Sequence, residues 1–169
     1  MTDSYQLKRL SRDGIPGALA KAERYRIIND PSSAESICLD VLEVDPGNQE
    51  ALVTLVLALT DQFVDAPAER VRQAQELLPR LEDEYKRLYY AGIVCERIAK
   101  AHLRRGTMGS GDLAYHRFRE AMDWYEKAEA RRPAGNEESM LRWNTCARIL
   151  TRDEHIRPRV EEAMSPRSE

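Results

Sequence analysis

Apolar residues recur along this chain three and four positions apart from about residue 18 to residue 150, the spacing that keeps side chains on one face of an α-helix. The recurrence is interrupted only where proline, glycine or asparagine cluster. Ala18, Ala22, Tyr25 and Ile28 predict a first helix, which Asn29, Asp30 and Pro31 end because proline cannot continue the hydrogen-bond ladder. Ser32 and Glu35 read as a capping box opening a second helix to about Val44, with Ala34, Cys38 and Val41 inward. Gly47 and Asn48 predict the next stop and start. The third helix, Gln49 to about Phe63, is apolar nearly all round and is expected at the centre of the fold.

Asp65 is the expected cap of a fourth helix carrying Pro67, Val71 and Ala74, and a long fifth is predicted from about Leu81 to Arg105. The glycines and serine of 106–113, GTMGSGDL, predict a flexible insertion loop. A sixth helix follows in AYHRFREAMDWYEKAEARRP, Ala114 to Pro133, and Asn136 with Glu137 and Glu138 opens a seventh with Trp143, Cys146, Ala147 and Leu150 on one face. The pattern divides the chain into a flexible segment 1–15, a helical domain 16–152 and a tail 153–169 expected to be mobile, because it has no periodicity.

One spacing occurs three times. Ala121, Tyr125, Ala128 and Pro133 are separated by steps of four, three and five, as are Ala34, Cys38, Val41 and Pro46, and again Pro67, Val71, Ala74 and Pro79. Pro46 and Pro79 are 33 residues apart, and the step from Pro79 to Pro133 is longer by roughly twenty, which the fifth helix and the 106–113 loop absorb.

Helix pairs at this period resemble the tetratricopeptide repeat. Ala22 and Tyr25, then Ala34, Val41 and Pro46, look like the small, aromatic and proline positions of one copy; Ala74 and Pro79 belong to a second. Ala99 and Gly106, followed by Phe118, Ala121, Tyr125, Ala128 and Pro133, look like a third. The resemblance implies an all-α, right-handed superhelix of antiparallel helix pairs, an α-solenoid of about seven helices: three repeats and a C-terminal capping helix. It implies stacking of pairs that cannot bury both faces alone, and a concave groove lined by the first, third, fifth and seventh helices. It also implies a scaffold, adaptor or chaperone-like protein-binding module. The family's chaperone-tail carboxylate clamp is not expected, since the first helix offers Leu19 and Glu23 where that clamp should begin.

Composition narrows this picture modestly. The net charge of −3 divides unevenly: the chain up to Glu84 carries roughly −7 and the remainder about +4. The whole is not basic enough for a dedicated nucleic-acid binder, although RNA binding by the basic second half remains an alternative, as does a structural subunit that assembles with copies of itself or within a larger complex. Cys38, Cys95 and Cys146 are far apart and each lies in an apolar helical pattern, so they read as buried thiols of a cytoplasmic protein. The N-terminus lacks a secretory pattern and the longest apolar run, Ala51 to Leu59, is too short for membrane insertion.

Candidate chemistry is confined to two rows. On the fifth helix Tyr90, Ile93, Arg97, Lys100 and Arg104 fall within a narrow arc, combining apolar area with the donors that bind carboxylates, and so favour an acidic or amphipathic segment of another protein. Asn144, Arg148 and Arg152 form a second row on the seventh helix; facing one groove, the two rows would make a cationic clamp. Left in solvent, the same residues would be ordinary surface ion pairs. GTMGSG lacks the ending of a phosphate loop, His102, His116 and His155 have no partner at metal-ligand spacing, and no nucleophile sits beside a base. No enzyme activity, cofactor or metal is expected.

Overall fold

The computed structural model describes residues 5–160 apart from residue 66, and over them the chain forms seven α-helices and no strand. These are α1 (Ile15–Ile27), α2 (Pro31–Val44), α3 (Gln49–Thr60), α4 (Pro67–Leu77), α5 (Glu84–Arg105), α6 (Ser110–Glu129) and α7 (Glu138–Arg152). Each helix packs on the next, α1 also touches α3, and α3 touches α5.

The helix ends follow from local chemistry, with three departures from expectation. Asp30, rather than Ser32, caps α2: its Oδ1 accepts from the Ser33 N–H at 3.2 Å, while Asn29 turns the chain at φ 62°. Pro31 occupies the first turn, where no N–H is needed, so the capping oxygen comes from the residue before it. Glu35 is thereby left to bind Arg70 of α4 at 2.6 Å and Gln62 at 2.8 Å. Second, α3 is capped by Asn48 as expected but ends at Thr60; residues 61–65 form turns that carry Asp65 and fold Phe63 back into the core.

Third, α6 begins at Ser110, so the connection after α5 spans only 106–109, with Gly106 and Gly109 in the left-handed region. Asp112 supports the early start by placing a carboxylate in the first turn, where the helix dipole favours it. Gly111 has a different role. A Cβ there would collide with the His155 carbonyl, because the chain after Arg152 returns to this helix end. The expected mobile tail is instead docked over its first part. Ile156 is fully buried, the Arg159 N–H donates to Asp112 Oδ1 at 2.7 Å, and the Arg157 guanidinium donates to the Leu150 carbonyl at 2.7 Å. Residues 161–169 lie outside the described residues.

Two apolar clusters form the core. One joins α1 to α4 with Val94, Ile98 and Ala101 of α5; the other joins α5, α6 and α7 with Ile156. The long α5 therefore belongs to both, and Tyr90 touches both. Ala22, Ala34, Val41, Ala74, Ala99, Ala121, Tyr125 and Ala128 are completely buried, whereas Pro46, Pro79 and Pro133 are exposed beyond their helix ends. Close approach of α6 to α5 requires Gly92, where an added Cβ would lie 2.5 Å from the Tyr125 ring.

Candidate functional site

Asp83 opens α5 by accepting from the Lys86 N–H at 2.9 Å, and Gly106 closes it at φ 60°. Between these ends its two sides meet different surroundings. Arg97, Lys100 and Arg104 line a depression of about 220 Å³, with Arg26 and Asn29 from the end of α1 and Thr60, Asp61 and Val64 from the end of α3. Three rows of the chain thus converge on one concave patch.

Asp61 is the acid in its wall. Its Oδ2 takes Arg26 Nε at 3.0 Å and its Oδ1 takes Arg97 Nη1 at 3.1 Å, so one carboxylate serves two guanidinium groups. Arg104 is exposed and enters no ion pair among the described residues, and Arg97 Nε is buried without a hydrogen-bond partner. Of the four cations that line the depression, Arg26 and Arg97 share Asp61, Arg26 also lies 3.7 Å from Glu23, and Lys100 is paired with Glu96. The positive charge left for an incoming carboxylate is therefore carried chiefly by Arg104 and by the Arg97 donor that has no partner.

The adjacent residue, Glu96, points the other way and is fully buried. Tyr125 of α6 donates to its Oε2 at 2.7 Å, Lys100 reaches its Oε1 at 2.5 Å, and the Arg142 guanidinium of α7 pairs with both oxygens. Burial pushes the Glu96 pKa up, but the Lys100 ammonium, then Arg142 and Tyr125, outweigh it and hold the carboxyl below its ordinary value. Burial and the neighbouring carboxylate push the Tyr125 hydroxyl well up, so it remains a donor. Lys100 belongs to both arrangements, lining the depression while its ammonium balances the buried acid.

The remaining predicted positions divide clearly. Ile93 is buried within the second cluster, and Tyr90 is half-buried with its ring edge-on to Tyr89 at 5.1 Å. Asn144 is half-buried, Arg148 and Arg152 are exposed, and none lines the depression. Arg148 lies about 240° around α7 from Arg142, the residue that does reach α5.

Arg26, Asp61 and Arg142 were not singled out by sequence reasoning. Glu96 did carry a signal: in GIVCERIA it interrupts an apolar stripe, and an acid on a buried face must find cations. The cysteines are buried and their thiols pushed up to about 12 by desolvation, which leaves no reactive thiolate. Among the described residues no group of acids, histidines and cysteines is arranged to hold a metal ion, and no helix is long and apolar enough to cross a membrane.

Comparison with protein-family models, with characterised proteins and with solved structures gives no match.

Proposed function

We propose that the chain is a non-enzymatic helical-repeat module, of tetratricopeptide type, that holds an acidic segment of a partner protein. The observation that carries this reading is the depression on α1, α3 and α5, where Arg26, Arg97, Lys100 and Arg104 surround the single carboxylate of Asp61. An incoming carboxylate would meet Arg104, unpaired among the described residues, and the free Nε donor of Arg97, beside cations that already hold Asp61, Glu23 and Glu96.

The repeat part of the proposal is supported by a regularity in the long-range hydrogen bonds. Glu23 and Thr54 are 31 residues apart, Gln49 and Glu82 33, Pro46 and Arg80 34, Arg26 and Asp61 35, and Asp61 and Arg97 36. Later in the chain the separation rises to 46 for Glu96 and Arg142, 47 for Glu84 and Arg131, and 51 for Tyr85 and Asn136. A stack of similar helix pairs gives separations clustered near one value, here 31–36, and a pair lengthened by α5 shifts the cluster upward. Bonds between adjacent helices are shorter, 27 for Glu35 and Gln62 and 29 for Glu96 and Tyr125. Taken with the resemblance in spacing, this favours a right-handed solenoid of helix pairs. The cytoplasm suits the three buried free cysteines.

A peptide is favoured over RNA because the cations are bounded by Phe63, Val64 and Ala101, with no exposed aromatic ring in the depression on which a base could stack. The test is fluorescence polarisation with labelled hexaglutamate, hexaglutamine and single-stranded oligouridine. Hexaglutamate is expected to bind, and Arg104→Glu to weaken it about fivefold with an unchanged melting temperature. Hexaglutamate binding that Arg104→Glu leaves untouched, or stronger retention of the oligouridine, would overturn the reading.

A further inference from the structure

We infer that the partner segment carries an apolar side chain beside its acids, seated in a second depression that adjoins the first across α5. This rests on the preceding reading and specifies the ligand. The second depression, about 250 Å³, is floored by Phe63, Val71 and Ile98 and rimmed by Arg105 and Arg117. Phe63 and Ala101 belong to both depressions, so they meet along a ridge whose only α5 side chain is one methyl group.

The physical character changes across that ridge. On the α1 and α3 side the walls are cationic and polar; on the α4 and α6 side the floor is apolar and the charges stand at the edge. His102 shares the apolar side. Desolvation, then Arg105 and Arg117, hold its pKa below the ordinary histidine value, so near neutral pH it is an uncharged wall. Arg117 shares its charge with Glu120 at 2.7 Å, whereas Arg105 enters no ion pair among the described residues.

A segment crossing α5 therefore meets cations, an apolar hollow, and cations again. Charge complementarity selects acids at both ends, and the hollow selects an aliphatic residue between them, since burying its surface is favourable where no polar group must be desolvated. The occupant is an acidic peptide with an apolar centre, not a uniformly charged tail.

The experiment uses the full chain and three labelled peptides: glutamates alone, glutamates flanking a central leucine, and the same peptide with glutamine in place of leucine. The leucine peptide is expected to bind about tenfold more tightly than the glutamine peptide. Ala68→Trp, at an exposed position on the mouth of the hollow, should erase that advantage while leaving the glutamate peptide bound; Ala68→Gln serves the same purpose if the tryptophan disturbs α4. Equal affinity for leucine and glutamine peptides, with glutamate binding still sensitive to Arg104→Glu, overturns this inference and leaves the reading of the cationic depression intact. A leucine advantage that survives both Ala68 variants also overturns it, whereas failure of every peptide to bind overturns both.

Discussion

Neighbouring residues of α5, Glu96 and Arg97, stand at two ion-pair centres built on the same plan. Each centre places one carboxylate between two cations from different helices: Asp61 between Arg26 and Arg97, Glu96 between Lys100 and Arg142. They differ in burial and in what completes them. Glu96 is sealed and its third partner is the Tyr125 hydroxyl, whereas Asp61 lies in an open depression whose further cation, Arg104, is exposed. A saturated buried centre can only hold helices together. An open centre with surplus positive charge can do so weakly and still accept an anion.

The largest expected effect is therefore on the buried side. Glu96→Ala should cost about 3–5 kcal/mol in chemical denaturation, since it leaves Arg142 and Lys100 facing a site built for their counter-charge. It also removes the acceptor of Tyr125. Tyr125→Phe, which deletes one donor and keeps the ring against Gly92, should cost about 1.5–3 kcal/mol, as expected of a hydrogen bond to a charged group. If both variants melt like wild type, Glu96 does not join α5, α6 and α7, and the contrast with Asp61 disappears.

Acid offers a way to weaken the same centre without mutation. Because the folded Glu96 carboxyl is held below its ordinary value of 4.5, its contribution is complete above that pH and is lost as pH falls through the lower folded value. Wild type should lose melting temperature below about pH 4.5 more steeply than Glu96→Gln, which has no carboxyl to protonate. Parallel pH profiles for the two proteins would contradict the coupling assigned to Glu96.

The two centres also differ in how far they were legible in the sequence. Helical periodicity places Arg97, Lys100 and Arg104 in one row, and they do line one depression. Periodicity says which residues share a face but not which helix that face meets. Arg26 and Asp61 join the row from positions 35 residues apart, Asp61 as the first residue beyond α3. On α7 the same limitation has a larger consequence: the row Asn144, Arg148 and Arg152 is real, but the residue that reaches α5 is Arg142. The docking of 153–160 depends on a backbone approach to Gly111 and on one buried isoleucine, neither of which leaves a periodic trace.

The smallest expected effect tests whether the open centre is a receptor or merely a looser copy of the buried one. Asp61→Asn keeps the shape of the side chain and an amide oxygen for one guanidinium, but removes the charge that Arg26 and Arg97 share. Stability should fall by about 1–2 kcal/mol, less than for Glu96→Ala, because the Arg26 and Asp61 side chains keep only 16% and 18% exposure and solvent screens the pairs in part. The depression would meanwhile gain one unit of positive charge, so hexaglutamate should bind about threefold more tightly. A receptor and a structural tie respond oppositely here. Weaker peptide binding together with a loss of stability comparable to that of Glu96→Ala would mean that Asp61 organises the α1, α3 and α5 contact as firmly as Glu96 organises its own, and the depression would then be a joint between helices instead of a place for a ligand.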